Sequence, residues 1–310
     1  MPRVPELPEV ESLRRDLAAT LVGRTFASVD VRLAKQVLTP TGLSVEHIIG
    51  QQIEEIRRRA KFLIFDLSGG LALVFHLRLA GQMIHRDAEQ ATLASGGHPV
   101  PAYDAPMPHR STHVIFHFDD GSILYLTDIR QFGRVWVLPD AGVDQLIEQA
   151  KLGPEPLDPS FTVDMLRERL ARRQKMALKP VLLDQHVIAG IGNIYADEII
   201  FASRLTPATR VGDLDDAALV RLHRAIKDVL GLAVREGVAE ILNGRATMTR
   251  DFPRVHGRKG QPCPVCGRPI VKNQFAGRGT YTCPECQPYA GDGVQGVQSG
   301  DPAGVSEEAG

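Results

Sequence analysis

Apolar residues near the start of the chain recur at the spacing of one helical face. The recurring residues are Val10, Leu13, Leu17 and Leu21. Steps of three or four residues bring side chains onto the same side of a helix, and here that side is apolar. Pro8 suits the first turn of a helix and Gly23 suits its end, so the pattern predicts a helix over residues 8–22.

Further along the chain, as far as residue 138, the helical spacing gives way to short runs rich in β-branched and aromatic residues. Gly-Gly and Asp-Gly pairs separate several of these runs, as they do in β-turns. The predicted strands include residues 62–67, 71–77, 113–118, 123–126 and 135–138. Residues 85–111 are rich in Gly, Pro, Ala and His, so we expect an excursion loop there.

The stretch GPEPLDP at residues 153–159 cannot continue a helix or a strand and predicts a domain boundary. Helical spacing returns beyond it. In the segment 214–236, one face carries Leu219, Leu222, Ile226, Val229 and Ala233. We expect the chain to divide into residues 1–152, 153–250 and 251–287, followed by a disordered tail at 288–310.

Composition indicates a globular protein without a membrane span. The 310 residues are 43% hydrophobic, enough for a sizeable core, and no run of about 18 apolar residues occurs. The N-terminus shows no secretory pattern, so we expect a cytoplasmic location. The net charge is −1, yet residues 245–278 hold eight basic residues against one acid, a local charge of +7. Such a patch fits either phosphate binding or an ordinary solvated face.

The cysteines predict a metal site. They are Cys263, Cys266, Cys283 and Cys286. Each C-x2-C pair can place two thiolates on one tight knuckle, and two knuckles complete a tetrahedral zinc site. Two disulfides are the alternative, which the spacing and a cytosolic location disfavour. Because four thiolates leave no open position on the metal, we expect one structural zinc ion and no catalytic one.

Five motifs in order resemble the formamidopyrimidine-DNA glycosylase family and its relative endonuclease VIII. They are PELPEVE at 5–11, RAK at 59–61, DIRQFG at 128–133, GIGNIYADE at 190–198, and the zinc ribbon. The resemblance implies an α+β multidomain fold: an N-terminal β-sandwich with flanking helices, a helical domain with a helix–two-turn–helix, and a C-terminal zinc ribbon.

The same resemblance implies base-excision repair of damaged double-stranded DNA by a nucleoid-associated enzyme, which we expect to be a monomer. The implied activity is that of a DNA glycosylase with AP lyase activity. Its substrates would be formamidopyrimidines, 8-oxoguanine or oxidised pyrimidines.

In that family the N-terminal proline is the nucleophile, which assigns this role to Pro5. A terminal proline is a secondary amine that is partly unprotonated near neutral pH. Its iminium product has no N–H to lose, so it stays cationic and draws electrons during strand cleavage. By the same resemblance Glu6 is the adjacent acid and base. Glu9 either assists it or only favours the helix start, and Lys61 contacts phosphates or occupies a solvated turn.

The resemblance also implies contacts with DNA. Asn193 lies in a Gly-rich turn before a helix, which suits a phosphate, although tight-turn chemistry alone also accounts for it. Arg278 would pinch the backbone around a flipped nucleotide, unless it is an ordinary surface arginine. Extrusion of a base leaves a gap in the duplex. Arg130 and Phe132 match two members of the family's wedge, and Leu79 stands where one branch usually has methionine.

Two features depart from the family pattern. Pro5 is internal in the sequence as written, and an internal proline nitrogen is an amide without a lone pair to offer. We expect the true start to be at position 4, through a valine codon read as methionine, so that methionine removal frees Pro5. Second, only Pro253 and Arg254 lie between residues 250–252 and 255–258, where members that cap 8-oxoguanine carry a longer loop. Oxidised pyrimidines, formamidopyrimidines or abasic sites thereby become more plausible substrates.

Two other functions fit part of the sequence. A catalytically inactive protein that binds lesions or abasic sites would keep the wedge, Asn193, Arg278 and the ribbon while lacking a terminal amine. Glu6 and Glu9 argue against it, because a mere binder has little use for carboxylates that face phosphates. A zinc-ribbon module for RNA or protein binding would show no selectivity for duplexes with a flippable base.

Overall fold

The computed structural model describes residues 4–235 and 252–288. Its strands are β1 Phe26–Val31, β2 Val37–Leu38, β3 Ile53–Arg59, β4 Phe62–Leu67, β5 Leu71–His76, β6 Gly81–Arg86, β7 Thr92–Gly97, β8 Thr112–Phe118, β9 Ile123–Asp128, β10 Arg134–Pro139, β11 Val271–Phe275 and β12 Arg278–Thr282. Its α-helices are α1 Leu7–Leu21, α2 Asp140–Gln149, α3 Val163–Ala171, α4 Leu178–Leu183, α5 Asn193–Ala202 and α6 Asp216–Arg235. Short 3-10 helices lie at Ala34–Gln36, Val45–Ile48 and Val211–Asp213.

The first ten strands form two five-stranded sheets, in the orders β1-β8-β9-β6-β7 and β2-β10-β5-β4-β3. Alternating apolar side chains from both sheets meet in one core that includes Phe26, Phe65, Phe75 and Phe116. The apolar face of α1 packs into the same core through Val10, Leu13, Leu17 and Leu21. The predicted β-sandwich and the helix near residues 8–22 are therefore confirmed.

The expected excursion loop at 85–111 is wrong over its first part. β6 continues through Arg86, and β7 pairs with it in antiparallel fashion. β7 ends in Ser-Gly-Gly, which are poor strand formers, yet Gly96 lies where a Cβ would come within 3.1 Å of the Leu13 side chain. Gly96 lets α1 approach the sheet closely, so a tertiary contact overrides local propensity.

The helical part has its own core, which gathers side chains from α3, α4, α5 and α6. α5 is buried along nearly its whole length, from Ile194 to Phe201. A helix surrounded by protein on all sides shows little amphipathic pattern, and its polar residues are buried with the rest. Two of those residues, Asp197 and Glu198, are only 1% exposed each.

The ribbon is a two-stranded hairpin, β11 and β12, whose small core contacts the end of α5 through Phe201. The predicted α+β multidomain fold with a C-terminal zinc ribbon is confirmed. Among the described residues, no helix is long and apolar enough to span a bilayer. Residues 236–251, the predicted tail from residue 289 onward, and the basic residues Arg245 and Arg250 lie outside the described residues.

Candidate active site and DNA interface

A cavity of about 1150 Å³ lies where the sandwich, the helical part and the ribbon meet. The sandwich side contributes Pro5, Glu6 and Lys61, the start of α5 contributes Asn193, and β12 contributes Arg278. Residues separated by more than 270 positions in sequence thus line one cleft. Most of the residues that sequence motifs suggested for chemistry or phosphate contact are among them.

Glu6 precedes α1, but its carboxylate lies at the N-terminus of α5. It accepts hydrogen bonds from the backbone N–H groups of Gly192 at 2.7 Å, Ile194 at 2.9 Å and Tyr195 at 3.3 Å. These are free donors at a helix start, where the helix dipole favours a negative charge. A Cβ at Gly192 would overlap the Glu6 carboxyl group, so the glycine of this turn makes room for the acid.

Burial raises the pKa of Glu6 above its usual range, while the charge of Lys61 and the N–H groups of α5 pull it back down. Glu6 is only 1% exposed. Burial and these neighbouring groups thus act in opposite directions on the charge of Glu6. Strongly perturbed carboxyl groups in clefts are candidates for proton transfer.

Glu9 lies behind Glu6 and does not line the cavity. Its carboxyl oxygens accept from the backbone N–H of Glu6 at 2.9 Å and from the Tyr195 hydroxyl at 2.9 Å. Burial and the neighbouring charge of Glu6 raise the pKa of Glu9 to about 7. Glu9 therefore supports the first turn of α1 and holds the backbone N–H of Glu6.

Lys61 lies in the turn between β3 and β4 and extends across the cleft toward α5. Its Nζ donates to the Ile191 carbonyl at 3.1 Å. Burial lowers the pKa of Lys61, and the charges of Glu6 and Glu9 oppose that shift. The preceding Ala60 has a positive φ of 53°, and its N–H donates to Glu155 at 3.0 Å. The turn that carries Lys61 is therefore fixed by the linker at residues 153–159.

Asn193 and Arg278 face the cleft from opposite elements. The Asn193 side chain donates to the Gly279 carbonyl at 3.0 Å, which joins the start of α5 to the start of β12. Its Oδ1 is buried and has no partner within the described residues. Arg278 is exposed at the rim of the cleft, with its guanidinium available to a ligand in that space.

The three proposed wedge residues lie on two neighbouring turns of the sandwich. Leu79 follows β5 and is 37% exposed, and Phe132 precedes β10 and is 46% exposed. Both line the cleft, and the Arg130 guanidinium lies 5.0 Å from the centre of the Phe132 ring. Asp128 holds this turn, because its carboxylate accepts from the backbone N–H groups of Arg130 and Gly133.

The four cysteines are free, and their sulfur atoms all lie within 4.8 Å of one another. The Cys266–Cys283 and Cys263–Cys286 sulfur pairs are 3.4 and 3.8 Å apart, much longer than a disulfide bond of about 2.05 Å. Tetrahedral zinc with Zn–S bonds of about 2.3 Å requires sulfur separations of nearly 4 Å. The donor set and spacing fit one structural zinc ion, as predicted.

Sequence reasoning missed the side chains that attach the ribbon to α5. The Asp197 carboxylate binds Lys179 Nζ at 2.7 Å and His256 Nδ1 at 2.8 Å. Glu198 accepts from the backbone N–H groups of residues 254–256. Both acids belong to the GIGNIYADE motif, where two successive carboxylates in an otherwise apolar helix were the available signal.

The short segment between Phe252 and Arg258 forms part of the cleft wall. Phe252 stacks on the Tyr195 ring at 5.8 Å, and Pro253 and His256 line the cavity. The two rings place this segment directly behind the helix start that binds Glu6. No cap extends from residues 252–258 over the cleft in the described part of the chain.

Three family models match the chain in succession. They describe a formamidopyrimidine-DNA glycosylase N-terminal domain at residues 4–135, a formamidopyrimidine-DNA glycosylase H2TH domain at 152–243, and a zinc finger found in FPG and IleRS at 260–288. Their order is that of the sandwich, the helical part and the ribbon.

Similar proteins carry the same description over nearly their full length. The formamidopyrimidine-DNA glycosylase of Pelotomaculum thermopropionicum is 39% identical over 292 residues, covering 92% of this chain and 99% of the relative. That of Symbiobacterium thermophilum is 41% identical, covering 92% and 90%. A crystal structure of the Lactococcus lactis Fpg with DNA containing an abasic site matches with a TM-score of 0.80 and 32% identity, covering 92% of this chain and 100% of that one.

Proposed function

The chain belongs to the formamidopyrimidine-DNA glycosylase family of DNA glycosylases with AP lyase activity, and from that premise we propose that it excises oxidised bases through a Schiff base on Pro5. The observation that carries this proposal is the cleft itself. Pro5, Glu6 and Lys61 line it from one side, while Asn193 and Arg278 line it from the other. A nucleotide between these two sides would have its sugar beside Pro5 and its phosphates beside basic and amide groups.

Pro5 acts as the nucleophile, provided that the mature chain begins at this residue and its nitrogen is a free secondary amine. The amine attacks the anomeric carbon of the damaged nucleotide, and the base departs with the bonding electrons and a proton. The ammonium loses its proton, and the C1′–O4′ bond of the sugar opens as O4′ takes up a proton. The iminium that results draws electrons from the sugar, so eliminations break the strand beside it. Glu6, adjacent in sequence and buried at the start of α5, moves protons during ring opening and elimination.

Lys61, Asn193 and Arg278 hold the phosphates beside the lesion. Lys61 and Arg278 supply positive charge from opposite sides of the cleft, and charge-assisted bonds to phosphate are the stronger kind. Asn193 lies in the first turn of α5 and offers its side-chain amide to a phosphate, because Glu6 already binds the backbone N–H groups of this helix start. Together they bend the backbone of the damaged strand around the extruded nucleotide.

Leu79, Arg130 and Phe132 fill the gap that the extruded base leaves. Two apolar side chains exposed on adjacent turns are costly in solution and useful between base pairs. The Arg130 guanidinium, next to the Phe132 ring, bonds the partner base left without its complement. Action on duplex DNA implies an enzyme associated with the nucleoid.

The preferred substrates are formamidopyrimidines, oxidised pyrimidines and abasic sites ahead of 8-oxoguanine. The segment 252–258 lies against α5, with its backbone N–H groups bound to Glu198. It leaves no length for a loop that closes over a flipped purine. One Lactococcus lactis Fpg structure, with a TM-score of 0.79, contains FAPY-dG in its DNA, which agrees with a formamidopyrimidine as substrate.

Borohydride trapping tests this proposal. The protein, expressed with its own start region, is incubated with borohydride and a duplex that contains an abasic site. The intact mass of the covalent adduct is then measured. We expect one covalent adduct on a chain that begins at Pro5. A matched chain with one additional residue before Pro5 has an amide nitrogen there and should give no adduct. Tight binding without any adduct on the native chain would instead support an inactive lesion-binding protein.

A further inference from the structure

One ionisable side chain of the cleft wall has no role in the chemistry proposed above. His256 lines the cavity and is 16% exposed. Its Nδ1 lies 2.8 Å from Asp197 Oδ2. Within the described residues, its Nε2 forms no hydrogen bond, so one edge of the ring is bound to protein and the other is open to a ligand.

The protein fixes the orientation of this imidazole in three ways. The backbone N–H of His256 donates to Glu198 at 2.8 Å, and the ring packs against the Tyr281 ring with centroids 4.8 Å apart. The third restraint is the Asp197 bond. A ring held at its backbone, its face and one nitrogen is preorganised, so binding at the other nitrogen loses little side-chain entropy.

Asp197 also determines which nitrogen carries a proton. Its carboxylate accepts from Lys179 Nζ and from the Tyr281 backbone N–H as well as from the ring. Because an ionised carboxylate can only accept, we infer that Nδ1 of His256 is the protonated nitrogen. In the neutral ring Nε2 is then a bare acceptor, which a phosphate oxygen repels; in the charged ring it is a donor, which a phosphate oxygen binds.

The charged groups that line the cleft with His256, or that bond its neighbours, set its response to an anion. Acids lie on the α5 and α1 sides and bases on the ribbon, α4 and β3 sides: Asp197, Glu198, Glu6, Lys179, Lys272, Arg278 and Lys61. A phosphate that enters the cleft adds negative charge on the open side of the ring. The imidazole would then lie between two anionic groups, Asp197 and the phosphate, and this arrangement favours the charged ring.

We propose that His256 takes up a proton from solvent when DNA enters the cleft, and donates from Nε2 to a backbone phosphate. This inference rests on the proposed function for the presence of the DNA strand in the cleft. It predicts that binding to DNA is linked to pH through one side chain that is not part of the excision chemistry. By linkage, affinity is greatest below neutrality and falls as pH rises, by up to about tenfold per pH unit.

Calorimetry measures this proton directly. The full chain is titrated with a duplex containing a tetrahydrofuran abasic analogue, in buffers that differ in ionisation enthalpy, at pH 6, 7 and 8. We expect net proton uptake near pH 7, and binding about tenfold weaker at pH 8 than at pH 6. A protein that does not bind the duplex at any pH contradicts the proposed function; binding without proton uptake contradicts only the present inference.

Variants assign the proton to His256. His256→Gln supplies a permanent neutral donor, so binding is retained while the proton uptake is lost. His256→Asn retains a donor toward Asp197 but does not reach the phosphate, so both affinity and uptake fall. His117→Gln, in β8 and away from the cleft, should match the native protein. His76 also lines the cleft, but burial lowers its pKa to about 3, so it stays neutral in the same range.

A second measurement does not depend on the folding of a variant. The imidazole ¹³C and ¹⁵N chemical shifts of His256 in the native protein report its charge with and without the duplex. A change from a neutral to a charged ring on binding supports the proposal. A ring that stays neutral in the complex, or proton uptake that persists unchanged in a folded His256→Gln protein, overturns it.

Discussion

Two pairs of buried carboxylates meet at α5, and they are built differently. Glu6 and Glu9 approach its N-terminus and are bonded by backbone N–H groups and a tyrosine hydroxyl. Asp197 and Glu198 lie inside the helix, and Asp197 is bonded directly to Lys179. A directly bonded cation fixes the charge of a carboxylate, whereas dipoles and hydrogen bonds leave it adjustable. The comparison therefore separates Asp197, whose charge Lys179 fixes, from Glu6 and Glu9, for which we propose chemistry. Glu198 is held by backbone N–H groups alone, and its bonds to residues 254–256 make it an attachment point for the ribbon.

The largest expected effect comes from neutralising the first pair. Glu6→Gln should slow base excision by about 10³- to 10⁴-fold, because the amide moves no proton. The free energy of unfolding should fall by only about 1 to 3 kcal/mol, because the Gln amide nitrogen cannot accept from the α5 backbone N–H groups that one carboxylate oxygen binds. Single-turnover excision and denaturant unfolding measure the two effects. Glu168→Gln, exposed on α3, is the matched control; an unchanged excision rate in Glu6→Gln would place the acid elsewhere.

For Asp197 in the second pair, we expect a loss of stability and not a loss of excision. Asp197→Asn leaves Lys179 buried without its counter-charge, so the free energy of unfolding should fall by about 4 kcal/mol. Denaturation followed by circular dichroism measures it. Asp228→Asn breaks a surface ion pair with Arg224 and should cost less than about 1 kcal/mol. Equal losses of stability in Asp197→Asn and Asp228→Asn would mean that the buried Lys179–Asp197 ion pair does not fasten the ribbon.

The pH dependence of stability tests the comparison at Glu9. Its pKa is raised to about 7 from 4.5, so the folded protein holds a proton there that the unfolded chain releases. The contribution of Glu9 to stability therefore falls as pH rises from about 4.5 to 7, by up to about 3 kcal/mol. Glu9→Gln removes this dependence. The free energy of unfolding of the native protein and of Glu9→Gln is measured at pH 5, 6, 7 and 8. If the two proteins showed the same dependence on pH, the raised pKa of Glu9 would be refuted.

The smallest effect is expected at the wedge, outside both pairs. Phe132→Ala should lower excision from duplex DNA by about tenfold, because the gap beside the extruded base is no longer filled. Its stability should change by less than about 1 kcal/mol, as the ring is 46% exposed. Leu93→Ala, equally exposed but away from the cleft, is the control. Matching excision rates for both variants would remove Phe132 from the wedge.

The sequence predicted local features well and long-range pairing poorly. The strand at residues 62–67 and the four-cysteine site follow from local patterns, and the structure places them as expected. β7 was missed because its glycines answer to tertiary contacts: Gly96 lies against Leu13 of α1, and Gly97 lies against the backbone of β6. The Asp197–His256 contact joins residues 59 positions apart, and no local pattern marks it. Glu6 was chosen by resemblance, yet its position at the start of α5 is a tertiary fact.

The most direct test of the two-pair account is a single experiment on two variants. Glu6→Gln and Asp197→Asn are each saturated with a lesion-containing duplex, and the single-turnover excision rate is compared with the free energy of unfolding. The account predicts a catalytic loss of at least about 10³-fold for the first, with a stability loss of only about 1 to 3 kcal/mol. For the second it predicts a rate within about fivefold of native with a stability loss of about 4 kcal/mol. If Asp197→Asn lost excision as completely as Glu6→Gln while bound and folded, the division between the two pairs would be wrong.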